Sequence, residues 1–178
     1  MTLKGAKPPV WRRILVPAEI RLSRLHDVLQ AAMGWTNSHL HEFRVGRDVR
    51  IGTADPQWDA PGEVMDEHKV ALSSLAPEPK DKLTYVYDFG DDWEHTVAVA
   101  KILEPSPGAI VPSCLSGKGA CPPEDCGGVW GYGELLDVLA DPDHPEREER
   151  LEWLGEDWDP LAFDLEAVNR RLAPFRKE

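Results

Sequence analysis

Residues 82–100 constrain the fold more than any other stretch of this chain. Leu83, Tyr85, Tyr87 and Phe89 alternate with Thr84, Val86 and Asp88, which is the two-residue period of a half-buried strand. His95, Val97 and Val99 alternate with Thr96, Ala98 and Ala100 in a second run. The short connection between them contains Gly90 and predicts a hairpin. That turn also carries Asp88, Asp91, Asp92, Trp93, Glu94 and His95. Four acids, an indole and an imidazole exceed what a turn needs for solvation, so this is the first place to look for function.

The flanking sequence predicts more sheet before the hairpin and helices after it. Thr2 to Leu15 reads as extended chain interrupted by Pro8-Pro9, neither of which can donate to a ladder. The Arg12-Arg13 pair in the resumed strand suits a soluble sheet edge. Leu22, Leu25, Val28, Leu29 and Ala32 recur at helical spacing, with Ser23 as candidate N-cap and Gly34 as left-handed C-terminal residue. His26 falls at the border of that apolar stripe and reads as a surface or boundary histidine. His39, His41, Phe43 and Val45 share one face if residues 39–45 form a strand, and Val49 to Ile51 reads as its return.

Residues 52–69, rich in Gly, Pro, Asp and Glu, predict a long mobile loop, and Val70 to Ala76 a single helical turn. Residues 112–133 show neither periodicity and read as a well-fixed loop. Three helices are expected to close the chain: one through Leu135–Leu139, one over residues 146–154 anchored by Leu151, Trp153 and Leu154, and one capped by Asp164. Strands and helices do not alternate regularly. The expected class is therefore α+β, a twisted, mainly antiparallel sheet with helices on one side, in one domain over residues 1–178.

The net charge of −12 is uneven. Residues 1–50 hold nine Lys or Arg against four Asp or Glu (+5), and the remainder eleven against twenty-eight (−17). An acidic body repels phosphate backbones, which argues against non-specific nucleic-acid binding; Arg12, Arg13, Arg21 and Arg24 read first as a solvated charged face and only then as a local basic contact. No apolar run is long enough to span a membrane, and Met1-Thr2-Leu3-Lys4 lacks a secretory apolar core, so the default address is cytoplasmic. Three cysteines, an odd number, argue for thiols or metal ligands over a closed disulfide framework.

Three constellations carry candidate chemistry. Cys114, Cys121 and Cys126, spaced C-x6-C-x4-C, could bind zinc with a histidine as fourth ligand, or simply fill small spaces as buried thiols. Asp88, Asp91, Asp92, Glu94 and His95, with His39 and His41, could hold a divalent cation, supply an acid and a base, or satisfy their own turns. Glu124 and Asp125 beside Gly127-Gly128 could frame a ligand or a tight turn. No Walker A sequence, dinucleotide fingerprint, G-x-S-x-G elbow or HExxH helix is present.

Several of these strings occur together in one family: Pro8-Pro9-Val10-Trp11-Arg12-Arg13, Leu25-His26 followed by Gly34-Trp35, and His39-Leu40-His41-Glu42-Phe43. Tyr87-Asp88-Phe89-Gly90-Asp91-Asp92-Trp93-Glu94-His95 and Cys121-Pro122-Pro123-Glu124-Asp125-Cys126-Gly127-Gly128 complete the set. In these motifs, over roughly residues 3–172, the chain resembles the plasmid pRiA ORF-three-like family, also met beside transposases as a passenger protein. The resemblance implies an α+β domain and no particular reaction. Two functions are then expected from the residues. One is a binding or accessory domain for an unidentified ligand or protein partner, with the hairpin turn, the His39/His41 strand and the cysteine loop meeting at a polar pocket. The other is a metal-dependent hydrolase using the same groups.

Overall fold

The computed structural model describes residues 1–155 and 158–176. The predicted hairpin forms the middle of the sheet: β6 (Lys82–Tyr87) pairs antiparallel with β7 (Trp93–Ala98), from Tyr87 opposite Trp93 to Lys82 opposite Ala98. Around it lie β1 (Thr2–Leu3), β2 (Trp11–Leu15), β3 (His41–Val45), β4 (Val49–Gly52), β5 (Val64–Asp66) and β8 (Ser113–Lys118). The eight strands run in the order β5-β4-β3-β6-β7-β1-β2-β8, antiparallel except for the parallel β4–β5 pair. Helices α1 (Leu22–Met33), α2 (Leu72–Leu75), α3 (Gly128–Ala140), α4 (Arg147–Leu154) and α5 (Leu165–Leu172) complete the α+β architecture.

Strand register explains how the two sheet faces differ. His41, Tyr87 and Trp93 lie opposite one another across β3, β6 and β7, as do Phe43, Tyr85 and His95. These rows form an aromatic layer on which α1 and Trp35 pack: Trp35 lies 5.0 Å from Tyr87 and 5.7 Å from Trp93 between ring centroids. The opposite face carries the row Glu42, Val86 and Glu94. Here Val86 is fully buried under an ionic roof, so β6 is covered on both sides and not the half-exposed strand its alternation predicts. Glu42 pairs with Arg44 and Arg50, Arg50 also with Asp59, and Glu94 with Lys4 and Arg44. The ladder ends at Tyr87, because Asp88 adopts a left-handed φ of 59°, and Phe89 is consequently half-exposed in the turn.

Several sequence expectations change for identifiable reasons. Arg12 is not at a sheet edge, because β8 pairs with β2 on its outer side. Its buried guanidinium donates to the carbonyls of Ala32, Trp11, Lys118 and Gly119. Arg12 therefore contributes nothing to a basic surface. β8 and the first turn of α3 occupy residues read as irregular, since their Gly and Ser content hides any period. β5 lies within the expected mobile loop, held by a neighbouring strand instead of by its own pattern. α1 begins at Leu22, which places Ser23 inside the first turn and leaves Arg21 as N-cap without a side-chain bond, while Gly34 ends the helix at φ 114° as predicted. Asp164 caps α5 by accepting from the Ala167 N–H. Trp153 is half-exposed on α4, where Leu151 and Leu154 provide the partly buried contacts.

Candidate functional site

The turn after β6, the segment before β3 and the loop before α3 meet at one end of the aromatic layer. Glu124 fixes this meeting. Its Oε1 accepts from the Thr36 N–H (2.9 Å) and the Tyr87 hydroxyl (2.8 Å), and its Oε2 from the Thr36 hydroxyl (2.7 Å). Burial opposes ionisation of Glu124, but these donors outweigh it and hold the carboxyl below its usual range. The same junction pushes the Tyr87 phenol upward, through burial first and its hydrogen bond to Glu124 second. Tyr87 additionally accepts from the Ser38 N–H at 3.0 Å, which positions the chain just before His39.

A second clasp joins the turn to the loop. Asp91 accepts from the Gly127 N–H at 3.3 Å, and Gly128 follows at φ 65°. A Cβ at Gly128 would collide with the Asp91 carbonyl oxygen, so glycine is required for this close approach.

Above these clasps three side chains converge. His39 Nε2 lies 3.7 Å from Asp88 Oδ2 and 3.3 Å from Asp125 Oδ1. The Gly90 N–H occupies Asp88 Oδ1 at 2.9 Å and leaves Oδ2 facing the histidine. His39 Nε2 is buried yet makes an aligned hydrogen bond to neither carboxylate. One ligand atom from each of His39, Asp88 and Asp125 falls within 4.8 Å of the others, and among the described residues no other group of three His, Cys, Asp or Glu side chains converges so. Such a set can hold a cation or a polar ligand with donors and positive charge.

The remaining sequence candidates sit elsewhere or serve the frame. Asp92, at φ 52°, closes the turn through its N–H to the Asp88 carbonyl. Glu94 belongs to the ionic roof on the opposite face. His95 is fully buried, bonded through Nδ1 to the Trp93 carbonyl, and burial lowers its pKa to about 3. His41 parts from His39, since the strand begins only at residue 41. It bonds Glu67 at 2.8 Å and stacks on His26 at 3.4 Å between ring centroids. The three cysteines do not converge: Cys114 is buried on β8 with its thiol on the Ser116 carbonyl, while Cys121 and Cys126 are partly buried in the loop. Burial pushes all three thiols up, Cys126 to about 12.

Sequence reasoning missed a buried network beneath His41. Gln30 donates to the Tyr85 hydroxyl, which bonds His26 Nδ1; His26 Nε2 bonds Asn37 Oδ1, and the Asn37 N–H returns to Gln30 Oε1. This closed ring fixes the Nε2-protonated imidazole, and burial lowers the His26 pKa to about 4. His26 is thus an interior residue, not the boundary residue expected. The signal for it was a tyrosine on the buried side of β6, whose hydroxyl needs a partner; Glu67, from an aperiodic stretch, gave none.

Among the described residues, no helix is long and apolar enough to cross a membrane. A family model described as plasmid pRiA4b ORF-3-like protein matches residues 1–167. The uncharacterized protein y4hQ of Sinorhizobium fredii is 48% identical over 175 residues, covering 97% of this chain and 88% of that one. The crystal structure of the protein of unknown function MM3350 from Methanosarcina mazei Go1 is similar with a TM-score of 0.82 at 40% identity, over 93% of this chain and 92% of that one. By the family model over residues 1–167 and the 48% identical relative, the chain belongs to the plasmid pRiA4b ORF-3-like protein family.

Proposed function

We propose that the chain is a binding or accessory domain, not an enzyme, and that its ligand sits where His39, Asp88 and Asp125 meet. The supporting observation is the convergence of these side chains from three distant segments, 3.3 and 3.7 Å from one imidazole nitrogen, with that nitrogen unbonded. A buried imidazole nitrogen with no aligned partner, facing two carboxylates beside an exposed Asp125, is available to a ligand.

The rival reading, a metal-dependent hydrolase, draws on the same three groups, because three protein ligands leave coordination positions open for water. Three of the acids and bases that the sequence offered for it are engaged elsewhere. Glu124 is consumed by Thr36 and Tyr87, His95 is sealed in the core, and Glu94 lies in the ionic roof. This favours binding over turnover.

The test is thermal denaturation against a panel of divalent cations, mononucleotides and dicarboxylates, with wild type and His39→Gln. At least one compound is expected to raise the wild-type midpoint and leave the variant unmoved. Equal responses of both proteins to every compound would overturn the reading, and turnover of a generic phosphoester or ester lost in His39→Gln would replace it with the hydrolase.

A further inference from the structure

We infer that His39, Asp88 and Asp125 form a divalent-cation site, an assignment that rests on the binding-domain reading and names its ligand. Protein nitrogens and oxygens bind first-row divalent ions at about 2.0–2.2 Å, and two donors on a tetrahedral ion of that radius stand about 3.4 Å apart. His39 Nε2 stands 3.3 Å from Asp125 Oδ1 and 3.7 Å from Asp88 Oδ2. Neither contact is aligned as a hydrogen bond, and both separations suit adjacent ligands around a shared ion.

Donor orientation supports the same assignment. Asp88 Oδ1 is held by the Gly90 N–H, which fixes the carboxylate with Oδ2 toward His39. A metal-binding carboxylate is commonly oriented this way, by a hydrogen bond to its other oxygen. His39 Nε2 is buried and has no hydrogen-bond partner among the described residues. Two carboxylates neutralise a 2+ ion, and the chain's net charge of −12 draws cations toward it.

The donor set also selects among metals. One imidazole with two carboxylates is harder than a thiolate site and suits Mn²⁺, Fe²⁺ or Zn²⁺; Ca²⁺ prefers six to eight oxygens. Asp125 is largely exposed, so the ion's outer positions face solvent and remain available to a further oxygen ligand.

The experiment is titration of tag-free, chelator-treated protein with Co²⁺, Zn²⁺ and Mn²⁺, followed by calorimetry and, for Co²⁺, by visible absorption. Wild type is expected to bind one ion per chain, and both Asp125→Asn and Asp88→Asn to weaken it about tenfold or more. Asparagine tolerates the left-handed backbone at both positions, at φ 57° and 59°, so both variants are expected to fold. Cobalt spectra should lack the intense ultraviolet band of thiolate ligation. Binding abolished by Cys121→Ser and unchanged in Asp125→Asn would move the metal to the cysteine loop and overturn the assignment. If no cation binds while another panel compound still shifts wild type and not His39→Gln, the cation assignment falls and the binding-domain reading stands. If no compound shifts wild type selectively, both fall.

Discussion

Replacing Arg12 with methionine should destabilise this protein far more than replacing its neighbour. The guanidinium of Arg12 is buried between the end of α1 and the end of β8, and no carboxylate pairs with it among the described residues. Instead it donates to four carbonyls at 2.9–3.0 Å. Two of these, Ala32 in the last turn of α1 and Gly119 beyond the β8 ladder, lie outside regular pairing and depend on it. Stranding a buried acceptor costs about 1–3 kcal/mol, so two give about 2–6 kcal/mol, with lost stacking on Phe163 adding to it. Arg13 points outward on the same strand, and its methionine variant should stay within about 0.5 kcal/mol of wild type. Urea denaturation of the two variants at one pH measures both numbers. A loss below about 1 kcal/mol for Arg12→Met would refute the argument, because it would mean water or backbone relaxation replaces the guanidinium at no cost.

Acid should destabilise the fold through its buried histidines. His95 has a pKa near 3 when folded and an ordinary value of 6.5. The unfolded chain therefore binds a proton that the fold excludes as pH falls below 6.5, and stability is lost between pH 6.5 and 3 at up to about 1.4 kcal/mol per unit. His26, lowered to about 4, adds a second loss between pH 6.5 and 4, so urea midpoints across this window should fall less steeply in His95→Phe, which keeps only the His26 loss. Gly128→Ala should cost more than 2 kcal/mol by order of magnitude, since it meets the Asp91 carbonyl at a left-handed φ. Gly133→Ala, in the interior of α3 with open space around it, should stabilise by about 0.5–1 kcal/mol; thermal melts of the pair separate strain from helix propensity. Tyr87→Phe should lose about 1–2 kcal/mol, because Glu124 and the Ser38 N–H both lose a partner, measurable by urea unfolding.

Local pattern was enough for much of this architecture. Alternation across residues 83–87 and 95–97 determined the central hairpin, and helical spacing from Leu22 to Ala32 with Gly34 behind it determined α1. Asp164 announced α5 by capping it. The density of acids in the hairpin turn singled out one side of the candidate site, and His39, Asp88 and Asp125 were all among the residues singled out in the sequence. These features are legible because each is written in residues a few positions apart, where backbone periodicity and capping chemistry act.

Tertiary structure decided the rest, because burial and partnership depend on what another segment brings. β8 exists by pairing with β2, and β5 by pairing with β4; neither has a convincing period of its own. Arg12 looks like an edge charge until β8 covers it, and His26 like a surface residue until Tyr85, Asn37 and Gln30 enclose it. His39 and His41 look like a pair along one strand. The strand begins only at residue 41, so His39 turns to Asp88 and Asp125 while His41 turns to Glu67 and His26. Asp88, Asp91, Asp92 and Glu94 are chemically alike in sequence. Only the meeting of three distant segments makes Asp88 a candidate ligand, Asp91 a clasp, Asp92 a turn residue and Glu94 part of an ionic roof.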